Sequence, residues 1–158
     1  MEVVLERATN NDAQAIFELQ VESFMPLLQK YQDYETNPAN ETIEKVIRRI
    51  NRSNGGFYKI LADNILVGAI CIYWKENYQF CISPMFIHPA FQGNGIAQKT
   101  ITIIEKMFPK AQSWELDTLL EEERNCHLYE KMGYSQTGVK KKLNEYATLV
   151  FYKKVLKD

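Results

Sequence analysis

The stretch Ile87-His88-Pro89-Ala90-Phe91-Gln92-Gly93-Asn94-Gly95-Ile96-Ala97 constrains this chain more than any other. An apolar, strand-like run from Tyr78 ends in it. Pro89 and the two glycines break the chain, and Ile96 opens a segment with helical spacing. A strand that turns through glycines into a helix gathers backbone amides around one point. The helix adds the positive end of its dipole there. Such a corner suits an anion, and a phosphate-bearing ligand is the first candidate. A solvent-exposed turn that only caps a helix is the plain alternative.

Three phosphate-binding patterns compete for the run. A P-loop needs Gly-x4-Gly-Lys-Ser/Thr, and no such string occurs. A dinucleotide fingerprint needs Gly-x-Gly-x-x-Gly, but Gly93-x-Gly95 is followed by Gln98 where the third glycine belongs. The third pattern is Gln/Arg-x-x-Gly-x-Gly/Ala, which Gln92, Gly95 and Ala97 fill completely.

About thirty residues further on stands Asn125-Cys126-His127-Leu128-Tyr129-Glu130-Lys131-Met132-Gly133-Tyr134. Asn125 and Tyr129 are four apart and share one helical face. Together the two blocks resemble the GNAT family of N-acetyltransferases, from roughly Ile82 to Tyr134. The resemblance implies a single acyltransferase domain over 1–158. Its fold is α/β, with a mixed, mostly antiparallel sheet flanked by helices and two central parallel strands that splay apart. It implies acetyl-CoA as co-substrate, with the amides of Gly93, Asn94, Gly95, Ile96 and Ala97 near the pyrophosphate beside Gln92. Met85, Phe86 and Ile87 occupy the place of a bulged strand whose free backbone binds the pantetheine arm and polarises the thioester. Asn125 steadies the pantetheine amides. Tyr129 is the expected general acid. A positioned phenol, with pKa about 10, can share or donate its proton as sulfur departs as a thiolate, the conjugate base of a thiol of pKa about 8.5. A core tyrosine with a satisfied hydroxyl is the competing reading. Lys99 is placed to reach a ribose phosphate or to be a solvated helix lysine.

The remaining segments are compatible with that plan. Val3 to Arg7 reads as a strand. Thr9-Asn10-Asn11-Asp12 caps a helix that should end near Phe24, because Pro26 follows. Pro26 to Asn40 is polar and aromatic with little periodicity, and reads as a long loop or short helical turns that could form a lid. Asn40 caps a second helix from Glu41 to about Asn51. Phe57 to Ala62, Ile65 to Trp74 and Tyr78 to Ile87 alternate like strands. The breaks at Asp63-Asn64 and Glu76-Asn77 suit hairpins. A two-residue loop at Glu76-Asn77 sets Ile72 opposite Cys81 and Cys71 opposite Ile82, on opposite sheet faces. Helices are expected over Gly95 to Phe108 and Glu121 to Met132, and strands over Ser113 to Thr118, Tyr134 to Lys142 and Tyr146 to Val155.

Composition narrows the partners. A net charge of −1 over 158 residues offers no field for nucleic acid or anionic lipid. No apolar stretch is long enough to span a bilayer, and the N-terminal residues lack a signal-like block, so a cytoplasmic protein is expected. Three cysteines without a Cys-x-x-Cys spacing read as free buried thiols. Two distant histidines leave no metal site to expect. The lysine runs at Lys140-Lys141-Lys142 and Lys153-Lys154 suit a solvated sheet edge.

The acceptor should be the primary amine of a small molecule or peptide, and the protein a monomer or homodimer. That amine must lose a proton to attack. Phe80-Cys81-Ile82-Ser83 carries no acid to take it. Glu22, Asp33, Glu35 and Asp117 are the candidate bases, with a water chain as the alternative. Tyr31, Asp33, Tyr34 and Glu35 suggest a pocket for a cation. The absent acid on the fourth strand also fits a CoA-binding module that has lost turnover.

Overall fold

Hairpins set the frame. The computed structural model describes residues 1–156. β1 (Val3–Arg7), β2 (Gly55–Ala62), β3 (Ile65–Lys75) and β4 (Gln79–Ile87) form an antiparallel run. Asp63 and Asn64 both adopt positive φ, which lets two residues join β2 to β3. β5 (Ser113–Leu119) then lies parallel to β4, and β6 (Ser135–Lys142) and β7 (Thr148–Val155) complete a seven-stranded sheet of order β1-β2-β3-β4-β5-β7-β6. Every residue of β6, at the sheet edge, is exposed, including the three lysines. Lys154 instead lies on an inner strand, where it pairs with Glu105 at 2.8 Å.

Helices cover both faces. α1 (Ala13–Tyr31) and α2 (Ile43–Ile50) enclose Ile16, Val46, Phe57, Cys71 and Phe86 on one side. α3 (Ile96–Met107) and α4 (Glu123–Lys131) enclose Ile72, Ile82, Ile101, Trp114 and Tyr152 on the other. Phe80 and Trp114 sit 4.9 Å apart beneath Phe108, so the start of the β4–β5 pair is tightly packed. This architecture agrees with the expected mixed, mostly antiparallel α/β fold.

β4 and β5 part early. Only Gln79–Ser113, Phe80–Trp114 and Cys81–Glu115 pair, and the strands diverge beyond them. On its other edge β4 pairs Ile82 with Ile72 and Met85 with Ile70, so Ser83 and Pro84 together oppose the single residue Cys71. This is a β-bulge with one extra residue on β4. Pro84 falls where no ladder donor is needed.

Three local expectations change. The first helix runs on through Pro26 to Tyr31 rather than stopping near Phe24. Burial of Leu28 and Tyr31, and the hydrogen bond that Tyr31 Oη donates to Glu122, outweigh the proline's local cost. The supposed lid shrinks to residues 32–42, pinned where Gln20 Nε2 donates to the Pro38 carbonyl and to Glu41 Oε1, both at 3.0 Å. Second, the β3–β4 connection uses a third residue, Tyr78, and both Asn77 and Tyr78 have positive φ. The register therefore moves by one: Tyr73 opposes Cys81 and Ile72 opposes Ile82. Cys71 and Cys81 consequently share the α1–α2 face, and with Cys126 they are buried free thiols. Third, Thr42 rather than Asn40 precedes the second helix.

Arg49 and Glu41 form a two-pronged ion pair at 2.6 and 3.0 Å, with both side chains nearly buried. Burial alone would raise the Glu41 carboxyl, but Arg49 and Lys45 hold it below the ordinary glutamate value. A depressed carboxyl adds stability above its unfolded pKa of about 4.3 and loses it as pH falls through the folded value. Glu41→Gln should lower stability at pH 7 by about 2 kcal/mol. It should also flatten the acid limb of the stability curve, measured by urea unfolding between pH 3 and 7. A limb as steep as in the parent would assign the acid sensitivity to another group.

Candidate active site

The corner forms as its residues require. His88 begins it, with Nδ1 accepting from the Ala90 amide at 3.1 Å and Nε2 lying 3.0 Å from Glu22. Gln92 Nε2 donates to the Ile87 carbonyl at 3.0 Å and ties the corner to the end of β4. Gly93 and Gly95 have φ of +83° and +74°. A Cβ on Gly95 would meet nothing, so glycine is needed there for its dihedral angle and not for crowding. No side chain caps α3, which leaves its first amides for another acceptor. Lys99 is not free to join them, because its Nζ donates to the Met1 carbonyl at 2.9 Å.

A cavity of about 500 Å³ begins at this corner and runs along β4 toward α4. Met85, Phe86, Ile87, Gln92, Gly93, Gly95, Ile96, Ala97, Asn125 and Tyr129 all line it. Asn94 does not, and its amide folds back to the Phe91 carbonyl at 3.0 Å. Beyond Cys81, β4 has no β5 partner, so this edge of Ile82 to Ile87 has backbone groups outside any ladder.

The far wall was not foreseen. Ser23, Phe24, Pro26, Leu27 and Lys30 of α1 form it, on the helical stretch that runs past the proline. Ser23 Oγ is buried there without a hydrogen-bond partner. Glu122 closes the end by accepting from Tyr31 Oη and from Lys30 Nζ at 3.2 Å. Arg124 also lines the cavity and makes no ion pair among the described residues. One of its guanidinium nitrogens lies 3.7 Å from where a Gly93 Cβ would stand. A basic residue just before Asn125 was the available sequence signal for it.

Asn125 and Tyr129 face the cavity from α4, one turn apart. The two tyrosines whose rings pack on Tyr129 give their hydroxyls to carboxylates: Tyr134 to Glu105 at 2.9 Å and Tyr152 to Glu130 at 2.7 Å. Tyr129 makes no side-chain hydrogen bond among the described residues, although its ring packs 6.0 Å from Tyr152. Burial first, then the charges of Asp117 and Cys126, push its hydroxyl above the ordinary tyrosine value.

Of the candidate bases, Asp117 alone is electrostatically tied to Tyr129. It stands two residues past the last β4–β5 pair, opposite Phe151. Trp114 and Leu116 turn into the α3–α4 core, so Ser113, Glu115 and Asp117 point to the other face. Asp117 remains open to solvent, yet crowding by protein atoms raises its carboxyl above the usual range. Glu22 is drawn to His88. Asp33 accepts from the Thr36 amide and hydroxyl, and Tyr31 is taken by Glu122, so the cation pocket suggested around Tyr31 and Asp33 does not assemble. Among the described residues, no three His, Cys, Asp or Glu side chains are grouped to hold a metal, and no helix is long and apolar enough to cross a membrane.

Known structures share this fold. PaiA N-acetyltransferase from Thermoplasma acidophilum, solved with coenzyme A, superposes with a TM-score of 0.77 at 17% identity, covering 99% of this chain and 100% of that one. Spermidine N-acetyltransferase from Vibrio cholerae, solved with CoA and spermine, gives 0.77 at 17%, with coverage of 97% and 95%. An acetyltransferase from Salmonella typhimurium that modifies the N-terminal serine of a ribosomal protein gives 0.75 at 16%, with coverage of 98% and 95%. At such identities the likeness establishes the fold. Among curated proteins no sequence matches significantly. The sequence model of the acetyltransferase (GNAT) family matches residues 4–134. That match spans most of the chain, which therefore belongs to the acetyltransferase (GNAT) family.

Proposed function

We propose that this protein binds acetyl-CoA and a primary amine together and moves the acetyl group directly from sulfur to nitrogen. The observation that carries the reading is the Tyr129 hydroxyl: unpaired with any described residue, on a cavity wall, and electrostatically linked to a carboxylate at the strand fork.

The cavity fits coenzyme A in chemical kind along its length. The uncapped start of α3 and the Arg124 guanidinium suit a diphosphate. The open edge of β4 suits the amides of a pantetheine arm, which would extend the sheet by one strand. Ser23 Oγ and Asn125 offer polar groups along that path. Acetyl-CoA supplies an activated acyl group. The protein's work is to hold both substrates close and to manage two protons.

Asp117 takes the first proton from the bound ammonium, which frees the lone pair that attacks the thioester. The further proton that nitrogen sheds as the C–S bond breaks replaces, through solvent, the one that Tyr129 gives up. An amine of pKa near 10 is mostly protonated at neutral pH, and a carboxylate raised by the protein atoms crowded around it is a better base than a free one. Tyr129 supplies the second, to the sulfur as its bond to carbon breaks. Its raised value keeps it protonated throughout the working pH range. Backbone amides of the bulged part of β4 face the forming negative charge on oxygen. No cysteine has the histidine partner that a covalent acyl intermediate needs.

Free-thiol release from acetyl-CoA, followed with a broad panel of amines, tests the activity. Amine-dependent release is expected. Tight CoA binding with no release from any amine would instead leave a binding module. Tyr129→Phe should lower kcat by about a hundredfold while CoA affinity changes only a few-fold. An unchanged kcat would give the acid role to water.

Asp117 is tested by pH. With the parent, kcat/KM should fall as pH drops through the raised carboxyl value, because protonation removes the base. Asp117→Asn should be about a hundredfold slower and should lack that limb. Persistence of the same limb in the variant would assign the base elsewhere.

A further inference from the structure

Arg52 is a guanidinium without a counter-charge. It follows α2, and its Cζ lies 4.7 Å from the centroid of the Tyr73 ring. It is half-buried. Among the described residues it forms no ion pair and no side-chain hydrogen bond. Two nearby basic side chains are committed elsewhere, and Arg48, one turn earlier, is exposed. Arg49 is committed to Glu41, and Lys75 to Glu115 at 3.2 Å. An arginine fixed by stacking keeps its donor fork free and oriented, which is the arrangement that takes a carboxylate or phosphate with two parallel hydrogen bonds.

Its position gives that fork a purpose. Tyr73 opposes Cys81, and Cys81 pairs with Glu115, so the three form one row across the sheet. Asp117 is the next residue on the same face of β5. The helices α1 and α2 bury the neighbouring row of Phe57 and Cys71 but leave Tyr73 and Glu115 partly open and Asp117 exposed. The row is therefore a partly open strip of sheet face, with the strand fork at one end, Arg52 at the other and Cys81 buried between them. From Tyr73 to Asp117 is two strands across and two residues along, about 12 Å between Cα atoms. Tyr73 feels the charges of both Arg52 and Asp117. Lys75 balances Glu115, and Arg52 brings to the Tyr73 end of the strip a positive charge that no described carboxylate pairs.

Resting on the acetyltransferase reading above, we infer that Arg52 selects the acceptor. The amine carries an anionic group, a carboxylate or a phosphate, which Arg52 holds over Tyr73 while the nitrogen stands at the fork beside Asp117. A polycation along the same strip meets the Arg52 charge and is refused.

The test compares amines that differ only in the distal group. Thiol release from acetyl-CoA is followed with ω-amino acids of two to six carbons, the matching amides, aminoalkyl phosphates of the same lengths, and spermidine. At the preferred length, one anionic series should exceed its neutral match by about tenfold or more in kcat/KM. The two anionic series tell carboxylate from phosphate. Arg52→Gln should erase the advantage through KM, with kcat on the amide within about threefold. Arg52→Lys should restore part of it, and Arg52→Glu should turn the preference toward spermidine. Unaltered melting of all three variants establishes that they fold. Equal use of acids and amides by the parent protein, or a preference for spermidine, overturns the inference.

A second arm needs no turnover. Calorimetric titration with CoA present compares N-acetylated acids with N-acetylated amides. The parent should bind the acid about tenfold tighter, and Arg52→Gln should not distinguish them. Anion-selective binding without any turnover would sink the transfer reading and keep the Arg52 site. Turnover without anion preference would sink the site and keep the transfer reading. Neither turnover nor preference would end both.

Discussion

The early parting of β4 from β5 is the constraint on which the rest of this molecule depends. Three residue pairs hold the two strands together, and a packed aromatic group of Phe80, Phe108 and Trp114 locks that end. Beyond Cys81 and Glu115 the ladder stops. Backbone polar groups that leave a ladder must find other partners. Here they border a cavity in place of a neighbouring strand. The same separation lets Tyr129, on one side of the sheet, sense Asp117, whose side chain belongs to the other. A fully zipped sheet would isolate the two.

The cavity depends equally on segments far from that fork. Glu122 joins the loop before α4 to Tyr31 and Lys30 at the end of α1. Asn144 Nδ2, in the β6–β7 turn, donates to the Tyr31 carbonyl at 2.8 Å. Three distant parts of the chain thus meet around one helix terminus. The wall they hold in place is what gives the cavity a second side.

Much of this was legible in the sequence because the informative residues answer to local rules. Gly93 and Gly95 needed positive φ, and Asn125 and Tyr129 needed one helical face; both are decided within a turn of chain. The alternating apolar runs gave the central strands for the same reason. What was not legible came from long-range contacts. A proline at position 26 announces a helix end, but Tyr31 is held by a residue some ninety positions away. The β3–β4 register turned on one extra loop residue, and the alternation pattern of the strands could not report it. Arg52 carries no sequence signal that sets it apart from other basic residues, and the signal for Arg124 is only its place before Asn125. Only the fold reveals that each lacks an acid partner and that one of them lies over an aromatic ring.

The two residues at Ser83 and Pro84 carry a consequence for how β4 serves two cores. Before them, Phe80 and Ile82 point toward α3 and α4, while Cys81 points toward α1 and α2. After them the parity inverts: Ile87 faces α3 and α4, and the even-numbered Phe86 joins the cluster beneath α1. The bulge is thus a phase shifter. A strict two-residue period would drive Phe86 into the wrong layer and leave a hole beneath Phe24, whose ring now lies 5.7 Å from it. The insertion that distorts the ligand-facing edge is therefore also what keeps both apolar layers filled along a single strand.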